Sequence, residues 1–369
     1  MKIPLCKPSI DQKELSIVRN SISSGWLTHG SHNLKFEDNF NKLIGSKYSV
    51  SMNSCTSALE SAIKCLEIKG EIIVPSFTWV SSANAIMNSG CQPVFADINL
   101  DTRNIDPSSI EKLISKKTKA VMVVHFAGLP CDMTKIINIC KNYKLHLIED
   151  SAETLGAKYN GNYTGSFGIG CFSFFPTKNI TTTEGGMLTT NNKKIYNKVK
   201  KLIAHGIQKS KKNFWERTSV LAGHNYRLPN HLAALGNSQL KKLRKFNKRR
   251  NLIANMYTNE LNKYDDLIIT PTIPDKCTHS FQMYTIRILN NLRNKFVYFL
   301  NNKGINASVH FDPPLHKQKL YSKFKYKNLM NTNILSKEIV SLPIYPDLSD
   351  KEVKYIINII SMWYKKIKN

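Results

Sequence analysis

The sequence predicts an α/β protein, with a mostly parallel sheet covered by helices in a large domain and a smaller α+β domain at the C-terminal end. Short apolar runs alternate with segments of helical period through the first part of the chain, which is the pattern of parallel strands joined by helices. With 369 residues, 41% of them hydrophobic, the chain is long enough for two cores. We therefore expect a large domain at residues 1–240 and a small domain at residues 241–369.

The elements of the large domain follow from hydrophobic periodicity. Apolar, β-branched runs predict strands, and apolar residues three and four positions apart predict helices. A glycine-bounded loop, residues 25–30, separates the first two helices. The predicted strands are residues 47–52, 71–74, 93–97, 119–126, 145–148 and 168–175. The predicted helices are residues 11–22, 33–43, 58–66, the second part of 75–90, 108–115, 133–143 and 195–207.

The remaining segments are a hairpin, a polar loop and the second domain. Asn160-Gly161 is the signal of a tight hairpin at residues 159–163. Residues 209–216 form a lysine-rich loop, and a long helix at 231–260 leads into the small domain. The strands of that domain are expected at residues 266–269, 281–288 and 307–311, and its helices at 291–303 and 351–367.

Lys178 is the first candidate for chemistry. It follows the predicted strand 168–175, whose pairing ends at Pro176 because proline has no N–H to donate. Apolar surroundings disfavour the charged form of a lysine, and a neutral amine can attack a carbonyl to form a Schiff base. Taken alone, a lysine in so basic a chain is more often a solvated surface group.

Two carboxylates upstream favour the chemical interpretation of Lys178. Glu149 and Asp150 directly follow the apolar run 145–148, so they lie at the carboxyl end of a parallel strand, where open α/β sheets bind ligands. A carboxylate there can hold the protonated ring nitrogen of pyridoxal phosphate, with the lysine as the covalent partner of the cofactor.

Two further segments suit such a cofactor. Residues 53–57, Asn-Ser-Cys-Thr-Ser, stand at a predicted helix start, where free N–H groups and the helix dipole can bind a phosphate. The alternative is an ordinary N-cap made by Ser54 or Thr56. Trp79 follows a strand end and could stack on a pyridine ring, although a core tryptophan is the alternative.

The stretches EDSAETLGA, from Glu149, and GSFGIGCFSFFPTKNITTTEGGM, from Gly165, closely resemble the DegT/DnrJ/EryC1/StrS family of nucleotide-sugar aminotransferases, which are fold-type I enzymes dependent on pyridoxal 5'-phosphate. The resemblance is strong over residues 25–240 and weaker beyond. It implies that Lys178 carries the cofactor and moves a proton, and that Asp150 pairs with the ring nitrogen. It places Glu153 near the phenolic oxygen and Trp79 on the ring. The residues that it places at the phosphate are Cys55, Thr56 and Ser173.

This sequence departs from the family pattern at two of these positions. Many relatives carry glycine where Cys55 stands and glutamine where Glu153 stands. A backbone amide at Cys55 can still contact a phosphate, although the chain approaches it less closely. A glutamate facing a phenolate would repel it unless protonated, so the charge state of Glu153 stays open.

The resemblance also implies a homodimer with shared active sites. The stretch His224 to Pro229 resembles a family segment that crosses the dimer interface, with Asn225 reaching the partner's cofactor phosphate and Arg227 near an anionic substrate group. Thr28 and Gly30 would lie near the nucleotide sugar.

The reaction implied is amino transfer from glutamate, through the pyridoxamine 5'-phosphate form, to a keto-deoxy nucleotide sugar. The 172–187 stretch looks more like enzymes that aminate C4 of an NDP-4-keto-6-deoxyhexose, giving a 4-amino-4,6-dideoxy sugar nucleotide. Amination at C3 stays an alternative, and the nucleotide, UDP, GDP or dTDP, stays open. Relatives that act as dehydratases carry histidine at the position of Lys178, so the lysine argues for transamination.

Composition leaves one rival of another class, a non-catalytic protein of this fold that binds nucleic acid. The formal charge is +27, and residues 241–250 are the densest basic stretch. Apolar residues at helical spacing within that stretch favour a solvated helix face, and no nucleic-acid module accompanies it, so nucleic acid is an unlikely partner.

The remaining features concern location and metals. No apolar signal region and no run of about 20 apolar residues is present, so we expect a cytoplasmic protein without a membrane partner. The eight cysteines show neither a Cys-x-x-Cys pair nor zinc spacing with histidines, which predicts reduced thiols and no metal site.

Overall fold

The structure is a computed structural model, and it describes residues 2–210, 212–213 and 215–368. The helices are α1 (Gln12–Ser23), α2 (Ser31–Ile44), α3 (Cys55–Leu66), α4 (Val80–Asn88), α5 (Pro107–Leu113), α6 (Met133–Asn142), α7 (Lys193–Leu202), α8 (Asn230–Leu261), α9 (Arg293–Asn302), α10 (Met330–Glu338) and α11 (Asp350–Lys368). The strands are β1 (Tyr48–Met52), β2 (Glu71–Pro75), β3 (Gln92–Ala96), β4 (Thr118–Val124), β5 (His146–Asp150), β6 (Lys158–Tyr159), β7 (Asn162–Tyr163), β8 (Ile169–Ser173), β9 (Gly186–Thr190), β10 (Ile207–Lys209), β11 (Arg217–Ser219), β12 (Ile268–Ile269), β13 (Tyr284–Ile288) and β14 (Ile339–Leu342).

The largest sheet of the described chain has seven strands in the order β1-β9-β8-β5-β4-β2-β3. Strand β9 runs antiparallel to both of its neighbours, and every other pair in this sheet is parallel. The predicted α/β class with a mostly parallel sheet is therefore confirmed. Because β9 alone is reversed, the other strands of the sheet all end at one edge.

Helices cover both faces of this sheet, as the alternation of side chains along a strand requires. On β2, Ile72 and Val74 pack into a cluster with the apolar side of α3. Ile73, between them, faces the opposite cluster, which includes Ile136 of α6 and Ile110 of α5. The strands are thus buried on both sides, and the polar ends of the strands are left for a site.

A second sheet with the order β12-β13-β14 lies in the C-terminal part and is antiparallel throughout. Tyr257 of α8, Tyr284 of β13 and Trp363 of α11 belong to its core cluster. The prediction of a strand at 307–311 is wrong, because Ser308 makes only an isolated bridge to Ser341. The strand at that edge of the second sheet, beside β13, is β14. The predicted boundary at residue 240 lies inside α8, and the division into domains stays a prediction.

The hairpin predicted at residues 159–163 is present as the β6–β7 pair. The predicted loop at 209–216 begins at the last residue of β10, which pairs with β11, and it includes Lys211 and Phe214, which lie outside the described residues. Within the part of the chain that the structure describes, no helix combines the length and the apolar character needed to cross a membrane.

Candidate active site

A cavity of about 430 Å³ lies at the sheet edge where the strands end, a volume typical of small-molecule sites. It brings together side chains that are more than a hundred positions apart in the sequence. The predicted site residues that line it are Lys178, Asp150, Glu153, Ser173, Cys55, Thr56 and Trp79. Seven of the residues singled out from the sequence therefore meet at one place.

Asp150 is the last residue of β5 and is buried. Its Oδ2 accepts a hydrogen bond of 2.8 Å from the Ser82 hydroxyl, and its Oδ1 accepts one of 3.2 Å from the amide of Ala152. The Cys55 thiol lies 3.9 Å from the same Oδ1. Burial raises the pKa of Asp150 above its ordinary value, although these donors partly oppose the shift. A cation placed beside this carboxylate would therefore be strongly favoured.

Glu149, the neighbour of Asp150, has a structural role. Its carboxylate accepts hydrogen bonds from the amides of Gly165, Phe167 and Gly168 at 2.7–2.8 Å. It also receives the Nε2 proton of the fully buried His125 at 3.1 Å, because Nδ1 of that ring accepts from the amide of Cys131. Successive strand residues face opposite sides of a sheet, so only Asp150 of the two faces the cavity.

Lys178 lies in the turn that follows β8, and its amide donates to the carbonyl of Phe175 at 2.9 Å. Its Nζ is 3.5 Å from Oε1 of Glu153, and both side chains are largely buried, with exposed fractions of 17% and 12%. The other oxygen of Glu153 accepts the amide of Ala127 at 2.7 Å. The glutamate is thus fixed by the backbone and presents its free side to the lysine. Lys178 and Glu153 thus face each other as a close pair inside the cavity.

The start of α3, residues 54–57, is a candidate anion-binding site at the cavity wall, here called the anion seat. Ser54 is the N-cap and accepts from the amide of Ser57, which decides between the two capping residues considered from the sequence. Cys55 and Thr56 stand in the first turn, whose N–H groups have no partner four residues back. Gly186, the first residue of β9, lies directly against this turn, and a Cβ there would stand 2.6 Å from the nitrogen of Cys55. Only glycine allows so close an approach.

Other walls of the cavity come from residues that the sequence did not point out. Cys6 and Gln282 belong to this group, whereas His310 lies in a stretch, residues 308–311, whose sequence resembles a family segment bordering the active site. Ser82 of α4, also not pointed out by the sequence, does not line the cavity but contacts Asp150. His310 bonds through Nδ1 to the Ser341 hydroxyl at 2.9 Å, and burial lowers its pKa. These residues come from the N-terminal segment, α4 and the C-terminal part, so no local spacing relates them to Lys178.

Trp79 stands at the mouth of the cavity rather than in the core. It is 59% exposed, and its ring centroid is 6.0 Å from that of Phe311. This placement excludes the alternative of a core tryptophan. His316, six residues after His310, bonds through Nδ1 to the Ser76 hydroxyl at 2.7 Å and joins two segments outside the cavity.

The four remaining predicted residues do not line the cavity. Thr28 and Gly30 lie in the loop before α2, where Trp26 is exposed and packs against Gly30. Asn225 is exposed and Arg227 is half-buried, and the guanidinium of Arg227 donates to Oδ1 of Asn225 at 3.1 Å. Strand β1 holds this segment through a bridge between Met52 and Arg227. None of these four residues therefore contributes to the cavity of its own chain.

Pyridoxal 5'-phosphate fits the groups that the cavity offers. A buried carboxylate with a raised pKa suits a protonated ring nitrogen, and an amine close by suits an aldehyde. The seat at α3, with the hydroxyl of Ser173 and the close approach of Gly186, suits a phosphate. The donors and acceptors of the cavity thus match the ring nitrogen, the aldehyde and the phosphate of the cofactor.

Comparisons with known proteins agree with this chemistry. Residues 8–361 match the model of the DegT/DnrJ/EryC1/StrS aminotransferase family. The spore coat polysaccharide biosynthesis protein SpsC of Bacillus subtilis is 36% identical, over 97% of this chain and 96% of that protein. PseC of Helicobacter pylori, an aminotransferase involved in the biosynthesis of pseudoaminic acid, has a TM-score of 0.93 at 30% identity, over 99% of this chain and 100% of the other. The PLP form of the putative sugar aminotransferase Spr1654 of Streptococcus pneumoniae has a TM-score of 0.93 at 28% identity, over 100% of both chains.

Proposed function

This chain belongs to the DegT/DnrJ/EryC1/StrS aminotransferase family, with pyridoxal 5'-phosphate as its cofactor, and we propose that it aminates a keto-deoxy nucleotide sugar with glutamate as the donor. The proposed acceptor is an NDP-4-keto-6-deoxyhexose, and the proposed product is a 4-amino-4,6-dideoxy sugar nucleotide. The cytoplasmic location expected from the sequence stays a prediction.

One observation carries the proposal: a single cavity contains both a lysine amine and a buried carboxylate of raised pKa. Lys178 is the proposed attachment residue, because its Nζ points at Glu153 inside the cavity rather than into solvent. Asp150 is the proposed partner of the ring nitrogen. Each is supported by neighbours that fix its orientation, Ala127 through Glu153 for the lysine and Ser82 for the carboxylate.

When bound, pyridoxal phosphate supplies an electron sink that stabilises the negative charge left when a proton leaves the α-carbon of the donor. The side chains of the protein hold the cofactor and move the proton. Asp150 keeps its charge beside a ring cation, and the hydroxyl of Ser82 holds the carboxylate in place. Nζ of Lys178, once its amine is free, takes the proton from the α-carbon of glutamate. Trp79 and Phe311 cover the cavity mouth and limit the access of water.

The proposed amination at C4 is supported by the likeness of the 172–187 stretch to enzymes that aminate C4. The proposal that the acceptor is a sugar is supported by two relatives. PseC is described as acting in the biosynthesis of pseudoaminic acid, and SpsC in that of a spore coat polysaccharide. Amination at C3 is the alternative.

We further propose a homodimer in which each chain completes the site of the other. Asn225 and Arg227 do not line the cavity of their own chain, and the guanidinium of Arg227 is paired only with the uncharged side chains of Asn225 and His205, so an anionic group could replace these partners. Trp26 and Leu27, in the loop with Thr28 and Gly30, are large apolar side chains with exposed fractions of 60% and 49%. Contact with a second copy would bury them and bring both segments to the nucleotide sugar.

The test is product analysis with a panel of substrates. The purified protein is incubated with glutamate and with 4-keto or 3-keto sugars linked to UDP, GDP or dTDP, and the product is identified by mass spectrometry and NMR. We expect an amine at C4, and none with Lys178→Ala. The matched control, Lys241→Ala, removes an exposed lysine of α8 and should retain activity. An amine at C3 would overturn the C4 proposal. Absence of any product, together with salt-sensitive DNA binding that survives the loss of Lys178, would favour the nucleic-acid rival.

A further inference from the structure

We propose that Gln282 is a positioning residue for Lys178, acting through the carbonyl of Thr177. The inference rests on the proposed attachment of the cofactor to Lys178. Gln282 is 5% exposed and lines the cavity, and its Nε2 donates to the carbonyl of Thr177 at 2.9 Å. Because a carbonyl can only accept, the nitrogen of this amide must face Thr177.

The segment that carries Gln282, residues 280–283, contacts both sides of the lysine–glutamate pair. The Ser280 hydroxyl donates to the carbonyl of Glu153 at 3.2 Å. The amide of Met283 donates to the carbonyl of Ala127 at 3.2 Å, and Ala127 in turn holds the carboxylate of Glu153. Gln282 therefore belongs to a short segment that holds the Lys178 turn and the Glu153 backbone at once.

Close packing fixes this segment against the large sheet. Gly128 has a φ of +108°, and a Cβ there would stand 2.7–3.0 Å from Ser280 and from the amides of the next two residues. The amide of Ser280 donates to the carbonyl of Gly128 at 3.0 Å. A glycine at this point lets the 280–283 segment approach the loop that follows β4.

A buried arginine holds the segment from the other side. Arg250 of α8 is 1% exposed, and its guanidinium donates to the carbonyls of Phe281 and Gln282 at 3.3 Å and of Ile344 at 2.8 Å. The bond to Ile344 anchors the guanidinium itself, and the two charge-assisted bonds to Phe281 and Gln282 restrain the backbone of Gln282. Its side-chain amide is therefore a fixed donor for Thr177.

The consequence concerns the capture of the cofactor. In that step the amine of Lys178 forms a C=N bond with the aldehyde carbon, and the aldehyde oxygen leaves as water. A turn held at Thr177 keeps the amine in the cavity, so fewer conformations must be excluded before the bond forms. Removal of the Gln282 donor breaks one hydrogen bond of the turn, which corresponds to a roughly 3- to 10-fold lower rate of cofactor capture.

A double-mutant cycle with Lys178→Ala tests the coupling. Cofactor affinity is measured by equilibrium dialysis, and capture by the absorbance of the covalently bound form after pyridoxal 5'-phosphate is added to the apoprotein. Gln282→Met should lower affinity and capture rate by roughly 3- to 10-fold when Lys178 is present and should leave affinity unchanged in the Lys178→Ala background. Gln282→Glu, which keeps the shape but replaces the donor nitrogen, is the second variant in case the first does not fold.

Ser49→Ala is the matched control. Ser49 is 2% exposed, and its hydroxyl donates to the main-chain carbonyl of Glu37 at 2.8 Å, but it does not line the cavity. It should lower the melting temperature of the apoprotein without changing capture. Equal losses for Gln282→Met in both backgrounds, or no loss in either, would overturn the positioning role. An unchanged spectrum and affinity for Lys178→Ala would instead overturn the attachment proposal itself.

Discussion

Replacement of Gly186 by alanine tests the anion seat at α3. The new Cβ would stand 2.4 Å from both the carbonyl carbon and the oxygen of Ser54, and 2.6 Å from the nitrogen of Cys55. Non-bonded carbon contacts are most favourable near about 3.5 Å, so the first turn of α3 or the start of β9 must move by about 1 Å. Overpacking of this kind destabilises a fold by about 1–3 kcal/mol, and a shift of that size in a site can reduce its function by about 100-fold.

The assay compares two ligands that differ in one group. Equilibrium titration of the apoprotein with pyridoxal 5'-phosphate should show affinity reduced by about 10- to 100-fold in Gly186→Ala, whereas affinity for pyridoxal, which lacks the phosphate, should hardly change. Gly161→Ala is the control: the φ of +78° at Gly161 makes alanine strained there, but no atom lies within 4 Å of a new Cβ and the β6–β7 turn does not line the cavity, so this variant should lose stability without losing affinity for either ligand. Equal losses for both ligands, or full affinity for the phosphorylated one, would refute the phosphate seat.

Three other variants have distinct expected outcomes. Because burial raises the pKa of Asp150, the free energy of unfolding of the apoprotein falls as the pH rises above the ordinary pKa of an aspartate. Asp150→Asn should remove this loss, as measured by urea unfolding between pH 4 and 7, and it should abolish amino transfer. An unchanged pH profile of stability would contradict the raised pKa. Ser82→Ala should weaken cofactor binding by roughly 10-fold in equilibrium dialysis, because it removes a hydrogen bond to a carboxylate; unchanged binding would show that Ser82 does not support Asp150. Burial, with a smaller contribution from Arg103, lowers the pKa of His279 from 6.5 to about 3, so the free energy of unfolding should fall as pH drops below 6.5. His279→Phe should flatten that slope by up to about 1.4 kcal/mol per pH unit, and equal slopes would contradict the buried neutral imidazole.

The sequence was sufficient for the parts of the site that follow from strand ends. A strand that ends at Asp150 and another that ends near Pro176 are visible as apolar runs, and parallel strands deliver their last residues to one edge. Helix α8 was also predicted almost to its bounds, because its apolar residues recur at a helical period. The family motifs added the roles of these residues, which periodicity alone does not give.

Contacts between distant segments were not predictable in this way. Ser82 supports Asp150 from 68 positions away, and Gln282 reaches Thr177 from 105 positions away. Such pairs depend on how α4 and the C-terminal part pack against the sheet, which no local pattern encodes. The same limit explains the false strand at 307–311, since the segment has strand-like residues but β14 occupies the edge beside β13.

Absorbance of the purified protein, with and without excess glutamate, tests the central claim most directly. Wild-type protein should show a yellow band from the cofactor bound to Lys178, and glutamate should convert it to the spectrum of the pyridoxamine form. Lys178→Ala should show an altered band that glutamate does not convert in the same way. A protein that stays colourless after pyridoxal 5'-phosphate is added, or a Lys178→Ala spectrum identical to the wild type, would contradict the account.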